Sequence, residues 1–240
     1  MIETRMSVDQ FANVLFVGAG TLLAYALLTW LVSLPVFALH RVDVRGELNH
    51  VSGESIKLVA ERGVRGNFFT VELDEVRTAF EKLPWVSEAR VSRRWPDTLI
   101  VELVEHVPLA RWNDSKLVST QGEVFNAAAD AALPRLSGLE GSGREAAEAY
   151  RRYGEILAPL GLRIEELSLS ARRAWRMKTD SGLEIALGRQ DVEPRLKRFA
   201  DQYQKISERL GAAPAYVDLR YADGFAVKLP HAAKTTNKQS

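Results

Sequence analysis

No charged side chain occurs between residues 10 and 39 of this chain. The centre of this run, NVLFVGAGTLLAYALLTWLVSL, is almost wholly apolar. A helix needs about 20 such residues to cross a bilayer, where every backbone polar group must find its partner inside the helix. The run therefore predicts a transmembrane helix over residues 10–39, with Pro35 near its end.

Two other interpretations compete with a membrane span. A cleavable signal peptide has an apolar region of roughly 7–15 residues after a basic start. This run is longer, and the segment before it carries Glu3, Arg5 and Asp9. A buried core helix is the second alternative, but an uncharged run of this length is unusual in a soluble domain. Because Arg41 and Arg45 follow the run closely, charge alone leaves the orientation of the span open.

The composition argues against several kinds of activity. Lys and Arg number 32 against 31 Asp and Glu, so the chain lacks the basic excess that holds DNA or RNA. Cysteine is absent, which excludes a thiol nucleophile, a disulfide and a cysteine-based metal site. No phosphate-binding loop, dinucleotide fingerprint, G-x-S-x-G or H-E-x-x-H motif occurs. The four histidines have no ligand spacing: His40, His50, His106 and His231. We expect no catalytic residue, cofactor, metal, nucleic acid or small-molecule substrate.

Residues 41–107 carry the patterns of a small two-layer domain. A strand over 41–46 precedes a helix capped by Ser52 and a second helix capped by Asp74. Two further strands follow, and residues 95–97, Trp-Pro-Asp, form the turn between them. The order strand, helix, helix, strand, strand predicts two helices on one side of a small sheet.

Alternation in the last of these strands predicts which side chains share a face. One face carries Leu99, Val101, Leu103 and Val107, and the other carries Thr98, Ile100, Glu102, Val104 and His106. The neighbouring arginines and tryptophans also suggest stacking on nucleic-acid bases, but acidic residues such as Glu102 interrupt any basic track. The stretch is therefore interpreted as scaffold.

Three stretches carry a resemblance to a known family. They are LPWVSEARVSRRWPDTLIVELVEHVPLARW at 83–112, VDVRG at 42–46 and GNFFTVEL at 66–73. Together with the element order, they resemble a POTRA domain, and the whole chain is similar to the FtsQ/DivIB family of bitopic cell-division proteins. The resemblance implies an α+β fold with a single N-terminal transmembrane helix, a POTRA domain and a mixed β domain whose helices pack on an extended sheet. The expected segments are a cytoplasmic tail at 1–9, the transmembrane helix at 10–39, the POTRA domain at 40–108, the β domain at 109–230 and a disordered tail at 231–240.

Two amphipathic helices interrupt the short strands of the second half. The first carries apolar side chains at helical spacing over 146–157. The second carries a longer apolar stripe: Val192, Leu196, Phe199, Tyr203, Ile206 and Leu210. A coiled coil with a partner is one interpretation of this stripe. We favour packing onto the domain's own sheet, because a single amphipathic helix among strands normally buries its face there.

The last two strands predict a docking site. Strand patterns over 215–221 and 225–229 are joined by Ala222, Asp223 and Gly224, which suit a turn. If the final strand lies at the edge of the sheet, its free N–H and C=O groups accept another chain by strand addition.

The family resemblance implies the identity of that partner. In the family, the last strands of the β domain bind FtsB, which pairs with FtsL. Carried over by position, the contact residues are Arg220, Tyr221, Gly224, Phe225, Val227 and Leu229. Leu229 takes the place of a tryptophan found in some members, and this lowers its expected share of the binding energy because leucine buries less area.

The resemblance also implies a role. It is that of a bacterial divisome scaffold that links cytoplasmic and periplasmic division proteins and binds FtsB and FtsL to control septal peptidoglycan synthesis. Other divisome proteins would bind through the POTRA domain. The implied location is the inner membrane at the septum, with a cytoplasmic N-terminus and periplasmic C-terminal domains. One alternative is a membrane-anchored POTRA protein that handles polypeptides for secretion or outer-membrane assembly. A cell-wall enzyme is a third interpretation, which the missing catalytic set disfavours.

Overall fold

The computed structural model describes residues 8–32, 34–129, 132–221 and 224–229. The chain divides into two compact units, Met1–Glu105 and His106–Ser240, called here the first and second units. Three sequence predictions fall wholly or mostly outside the described residues: the cytoplasmic tail at 1–9, Ala222 and Asp223 in the predicted turn, and the tail at 231–240.

The first helix, α1, runs from Val8 to Val32. Its segment Leu15–Val32 is long and apolar enough to cross a membrane, and none of it is buried inside the protein. The helix is shorter than the predicted 10–39 segment. The α-helix does not continue through Pro35, because proline lacks the N–H that an α-helix requires and disfavours helical geometry in the residue before it. A 3-10 helix at Pro35–Phe37 follows it.

The rest of the first unit has the predicted order of strand, helix, helix, strand, strand. Its elements are β1 (Arg41–Arg45), α2 (Gly53–Gly63), α3 (Leu73–Glu81), β2 (Val86–Arg94) and β3 (Thr98–Glu105). The sheet order is β1-β3-β2, with β1 parallel to β3 and β2 antiparallel to it. Val76 and Phe80 of α3 pack with Leu99 and Val101 of β3 in one buried cluster. The α+β fold predicted from the sequence is confirmed.

The two helices of this unit begin differently. The Ser52 hydroxyl accepts from the Ser55 N–H at 3.2 Å and caps α2 as predicted. The prediction that Asp74 caps α3 is wrong, since the helix starts at Leu73 and the preceding Glu72 makes no side-chain cap bond. Asp74 lies in the first turn, where a carboxylate still favours the helix by its interaction with the positive N-terminal dipole.

Three of the four residues predicted to share one face of β3 lie in the core. Leu99, Val101 and Leu103 are buried, but the strand ends at Glu105, and Val107 is 57% exposed. The Glu105 side chain itself is only 8% exposed. Its carboxylate accepts the backbone N–H groups of residues 49–51 at 3.1, 3.0 and 2.8 Å. Burial alone would raise its pKa, but these bonds and one from the His50 imidazole hold it below the ordinary value of 4.5.

The described part of the second unit is one large mixed sheet with two α-helices and a 3-10 helix at Ala158–Leu160. Its elements are β4 (Pro108–Trp112), β5 (Lys116–Ser119), β6 (Val124–Phe125), β7 (Arg135–Ser137), α4 (Gly143–Leu157), β8 (Ile164–Leu169), β9 (Trp175–Thr179), β10 (Glu184–Gly188), α5 (Val192–Leu210), β11 (Tyr216–Asp218) and β12 (Ala226–Lys228). The nine strands lie in the order β12-β11-β10-β9-β8-β7-β4-β5-β6. The last strand in sequence therefore lies at one edge.

The apolar stripe of α5 packs inside the second unit. Val192, Leu196 and Phe199 are buried in its main core cluster, and Tyr203 and Ile206 pack against that cluster while partly exposed. The same cluster holds Ala146, Tyr153 and Leu157 of α4. The prediction that α5 packs onto its own sheet is confirmed.

Candidate partner-binding edge of the second unit

Strand β12 forms the outer edge of the nine-stranded sheet. It is antiparallel to β11, with Val227 opposite Val217, and β11 is in turn parallel to β10. Among the residues that the structure describes, no strand pairs with the other side of β12. The sheet therefore ends in an open row of backbone groups at this edge.

The direction of these backbone groups follows from one hydrogen bond. The carbonyl oxygen of Lys228 accepts from the N–H of Ala215 at 3.0 Å, so this carbonyl points toward β11. Successive residues of a strand direct their N–H and C=O groups to opposite sides. The N–H and C=O of Val227 therefore point away from β11, toward the open side of the sheet.

Two of the predicted site residues hold β12 on the core. Phe225 and Val227 are partly buried and pack against the main core cluster. The Phe225 ring lies 5.8 Å from the Phe199 ring of α5 at an angle of 86°, which is an edge-to-face contact. This packing fixes the position of the edge strand.

Two other predicted residues are exposed: Tyr221, which lies between β11 and β12, and Leu229, which directly follows β12. Tyr221 is 58% exposed and Leu229 is 42% exposed. Gly224 is half-buried, and a Cβ built on it would meet no atom within 4 Å. The fold itself therefore leaves these three positions uncrowded, and large apolar side chains stay in contact with water.

Arg220 is engaged by its own strand. Its guanidinium binds both oxygens of Asp218, with Nη2 at 2.6 Å from Oδ2 and Nε at 2.9 Å from Oδ1. The Asp218 side chain is only 8% exposed, and its bonds from Arg220 hold its pKa below the ordinary value. Arg195 of α5 also donates to the Arg220 carbonyl at 3.1 Å. The chain leading to Tyr221 is therefore held on both sides.

Asp218 and Arg195 were not predicted from the sequence. Asp218 stands two residues before Arg220, a spacing that places both side chains on one face of a strand and could have signalled an ion pair. Arg195 and Arg220 are far apart in the chain, so no local sequence pattern predicts the contact between the Arg195 side chain and the Arg220 carbonyl.

The three histidines that the structure describes each contact a residue outside β11 and β12. The His50 ring stacks on Trp85 at 3.8 Å, and the His106 ring stacks on Phe125 at 4.3 Å. His40 lies 3.7 Å from Asp97, and His231 is outside the described residues. Within the described parts of the chain, no three His, Asp or Glu side chains are grouped in a way that could hold a metal ion.

An apolar helix of membrane-spanning length, a small strand-helix-helix-strand-strand domain and a mixed sheet with an open edge define a membrane-anchored POTRA protein. Two family models match the two units. Residues 37–106 match the POTRA domain of FtsQ type, and residues 110–220 match the C-terminal region of cell division protein FtsQ/DivIB.

Curated relatives agree over nearly the full chain. The cell division protein FtsQ of Nitrosospira multiformis is 41% identical over 233 residues, which cover 95% of this chain and 99% of the relative. That of Burkholderia pseudomallei is 38% identical, covering 90% of each chain, and that of Escherichia coli is 33% identical, covering 85% of this chain and 77% of the relative. The chain belongs to the FtsQ/DivIB family of cell-division proteins, and it is a single-pass membrane protein of the division machinery.

Proposed function

We propose that this chain is a non-enzymatic divisome scaffold whose edge strand β12 receives a strand of FtsB, and with it the FtsB/FtsL pair. The observation that carries this proposal is the open side of β12, which is held firmly on the core by its other contacts. Through this complex the scaffold controls septal peptidoglycan synthesis. Further divisome proteins bind through the POTRA domain.

Strand addition suits the chemistry of this edge. Main-chain hydrogen bonds supply affinity, and alternate side chains supply specificity. The outward N–H and C=O of Val227 offer one donor and one acceptor to an incoming backbone. Tyr221, after β11, and Leu229, after β12, offer exposed apolar area. The open space at Gly224 allows a second backbone to approach closely. Arg220, Phe225 and Val227 keep this surface in place.

We propose further that the chain lies in the inner membrane at the division septum, with the N-terminus in the cytoplasm and the two units in the periplasm, as the family resemblance implies. Protease treatment of spheroplasts is expected to digest the region after the span before the cells are lysed. Digestion only after lysis would reverse this orientation.

Replacing Tyr221 by glutamate is expected to weaken FtsB binding by at least about tenfold, which corresponds to about 1.4 kcal/mol. The reason is that a charged side chain would be buried in the complex without a partner, in place of an aromatic ring of the kind that dominates interface energies. Binding of an FtsB peptide to the full chain in detergent measures the change. Leu229→Glu should act in the same direction.

Leu139→Glu is the matched control for that experiment. Leu139 is 41% exposed, against 42% for Leu229, and it lies outside β11 and β12. We expect this variant to bind normally. Equal affinity of Tyr221→Glu and the unchanged protein would remove Tyr221 from the site.

Hydrogen exchange resolved to single residues separates strand addition from side-chain docking. In the free protein, the amide of Val227 points outward, whereas those of Ala226 and Lys228 point toward β11. Added FtsB peptide should therefore slow exchange most strongly at Val227. Protection confined to other parts of the second unit would argue against strand addition.

A further inference from the structure

Four aromatic rings form a cluster where α1 meets the rest of the first unit. Phe37, Phe68, Phe69 and Trp95 are its members, and it is called here the exit cluster. The Phe37 and Phe69 rings lie 5.0 Å apart, and Phe68 lies 5.4 Å from both Phe69 and Trp95. Phe37 lies 6.2 Å from Trp95 and joins the turn before β3 to the segment that follows α1.

Hydrogen bonds fix this cluster to the end of α1. The Asn67 side-chain amide donates to the carbonyl of Val32, the last residue of the helix, at 2.7 Å. This carbonyl is one of those that a helix end leaves without a partner in the helix. The Phe68 N–H donates to the Phe37 carbonyl at 2.9 Å, and Asn67 also forms a backbone bridge with Ala38. The loop that carries Phe68 and Phe69 is therefore held directly against the helix terminus.

The Trp95 turn is held on the same segment from the other side. The N–H of His40 donates to the Asp97 carbonyl at 3.0 Å. The Arg41 guanidinium lies 3.3 Å from the Asp97 carboxylate. Trp95 stands two residues before Asp97, so its position relative to the end of α1 is set by these contacts.

The exit cluster leaves large apolar side chains uncovered. Phe69 is 49% exposed, Trp95 is 64% exposed, and neighbouring Val36 is 67% exposed. The part of α1 without charged side chains runs from residue 10 to residue 32. At 1.5 Å per residue it is about 35 Å long, which is enough to cross the hydrocarbon thickness of about 30 Å. When α1 spans the bilayer, its last residue, Val32, lies near one boundary of the hydrocarbon, next to the lipid head groups.

We propose that the exit cluster inserts into the head-group region of the membrane that α1 crosses, and that it forms a second contact between the first unit and the bilayer. A Trp ring is favoured at this depth because its apolar body meets lipid while the indole N–H stays hydrated. Phe rings beside it add apolar area that is removed from water. The contact would restrict the tilt of the first unit on the membrane surface. It is independent of the partner that binds at β12.

A pair of labelled variants tests the proposal on the full chain. The chain has no cysteine, so Phe69→Cys and Val104→Cys each accept a single environment-sensitive fluorophore. The two positions are equally exposed, at 49%, but Val104 lies six residues from the start of β3, about 20 Å away from the Trp95 turn at 3.3 Å per residue. Each labelled protein is placed in nanodiscs that contain lipids with a nitroxide on the head group.

The nitroxide lipids are expected to quench the label at residue 69 several-fold more strongly than the label at residue 104. Adding Trp95→Asp should reduce the quenching at residue 69, while hydrogen exchange in β3 shows that the unit stays folded. Equal, weak quenching at both positions, with both labels open to aqueous iodide, would overturn the proposal and leave the exit cluster as a surface for a protein.

Discussion

Truncating Phe199 to alanine is expected to lower the free energy of unfolding of the second unit by about 3–5 kcal/mol. The side chain is 0% exposed and stands in the middle of the α5 stripe. Its ring contacts Phe225 at 5.8 Å and Tyr203 at 5.6 Å. Removing it therefore opens a cavity between α5 and Phe225, the residue that precedes β12.

Hydrogen exchange of the slowest amides in β8 to β10 measures this loss without assuming that the two units unfold together. Lys197→Ala, an exposed change on the same helix, should alter the free energy by less than about 0.5 kcal/mol. FtsB binding should also weaken in Phe199→Ala because Phe225 loses its support. By contrast, Tyr221→Glu should lose binding at unchanged stability. A loss below about 1 kcal/mol for Phe199→Ala would show that the ring is not part of a tight core.

The helices and strands were largely predictable because their patterns are local. The spacing of Val192, Leu196 and Phe199 specifies one face of a helix. The same spacing suits a coiled coil, so only the surrounding strand patterns favoured packing on the domain's own sheet. The structure agrees, since the stripe lies in the core of its own unit.

The neighbours of each strand were not predictable from those patterns. β7 lies between β4 and β8, and β10 pairs with β11 in parallel although α5 separates them in sequence. Period-two alternation says which side chains share a face, but it does not say which strand lies alongside. The position of β12 at the edge came from the family resemblance rather than from periodicity.

The site at the last two strands stays a prediction, but the structure separates its residues into two groups that the sequence did not distinguish. The sequence predicts Phe225 and Val227 as contact residues, whereas their side chains pack on the core in the free protein. The side chains of Tyr221 and Leu229, by contrast, are exposed to water and large enough to contact a partner. Sequence alone gives no means of separating these groups, because residues 225, 227 and 229 alternate identically.

The structural role of Glu105 was not predicted from the sequence. By alternation with Val101 and Leu103 before it and Val107 after it, position 105 falls on the inward face of the strand. A carboxylate at such a position interrupts the apolar pattern. The structure shows that the strand ends at this residue and that backbone N–H groups of 49–51 satisfy the buried oxygens.

Replacing Glu105 by alanine should lower the free energy of unfolding of the first unit by about 3 kcal/mol, since three backbone N–H groups lose a charged acceptor. Hydrogen exchange of the β1 to β3 amides measures the change. Glu102→Ala is the control, because Glu102 is exposed on the same strand. Its effect should stay within about 0.5 kcal/mol, and an equal effect of the two variants would mean that the 49–51 loop is not held by the Glu105 carboxylate.

The lowered pKa of Glu105 predicts how its contribution to stability changes with pH. The folded pKa of Glu105 lies below its ordinary value of 4.5, so the unfolded chain binds the proton more readily than the folded one. The stabilisation by the carboxylate is therefore complete above 4.5 and is lost as the pH falls through that value toward the lower folded pKa. Glu105→Gln cannot ionise and lacks this component. The stability difference between the unchanged protein and Glu105→Gln should shrink as the pH is lowered below 4.5, and a difference that stays constant there would show that the hydrogen bonds do not depend on the charge.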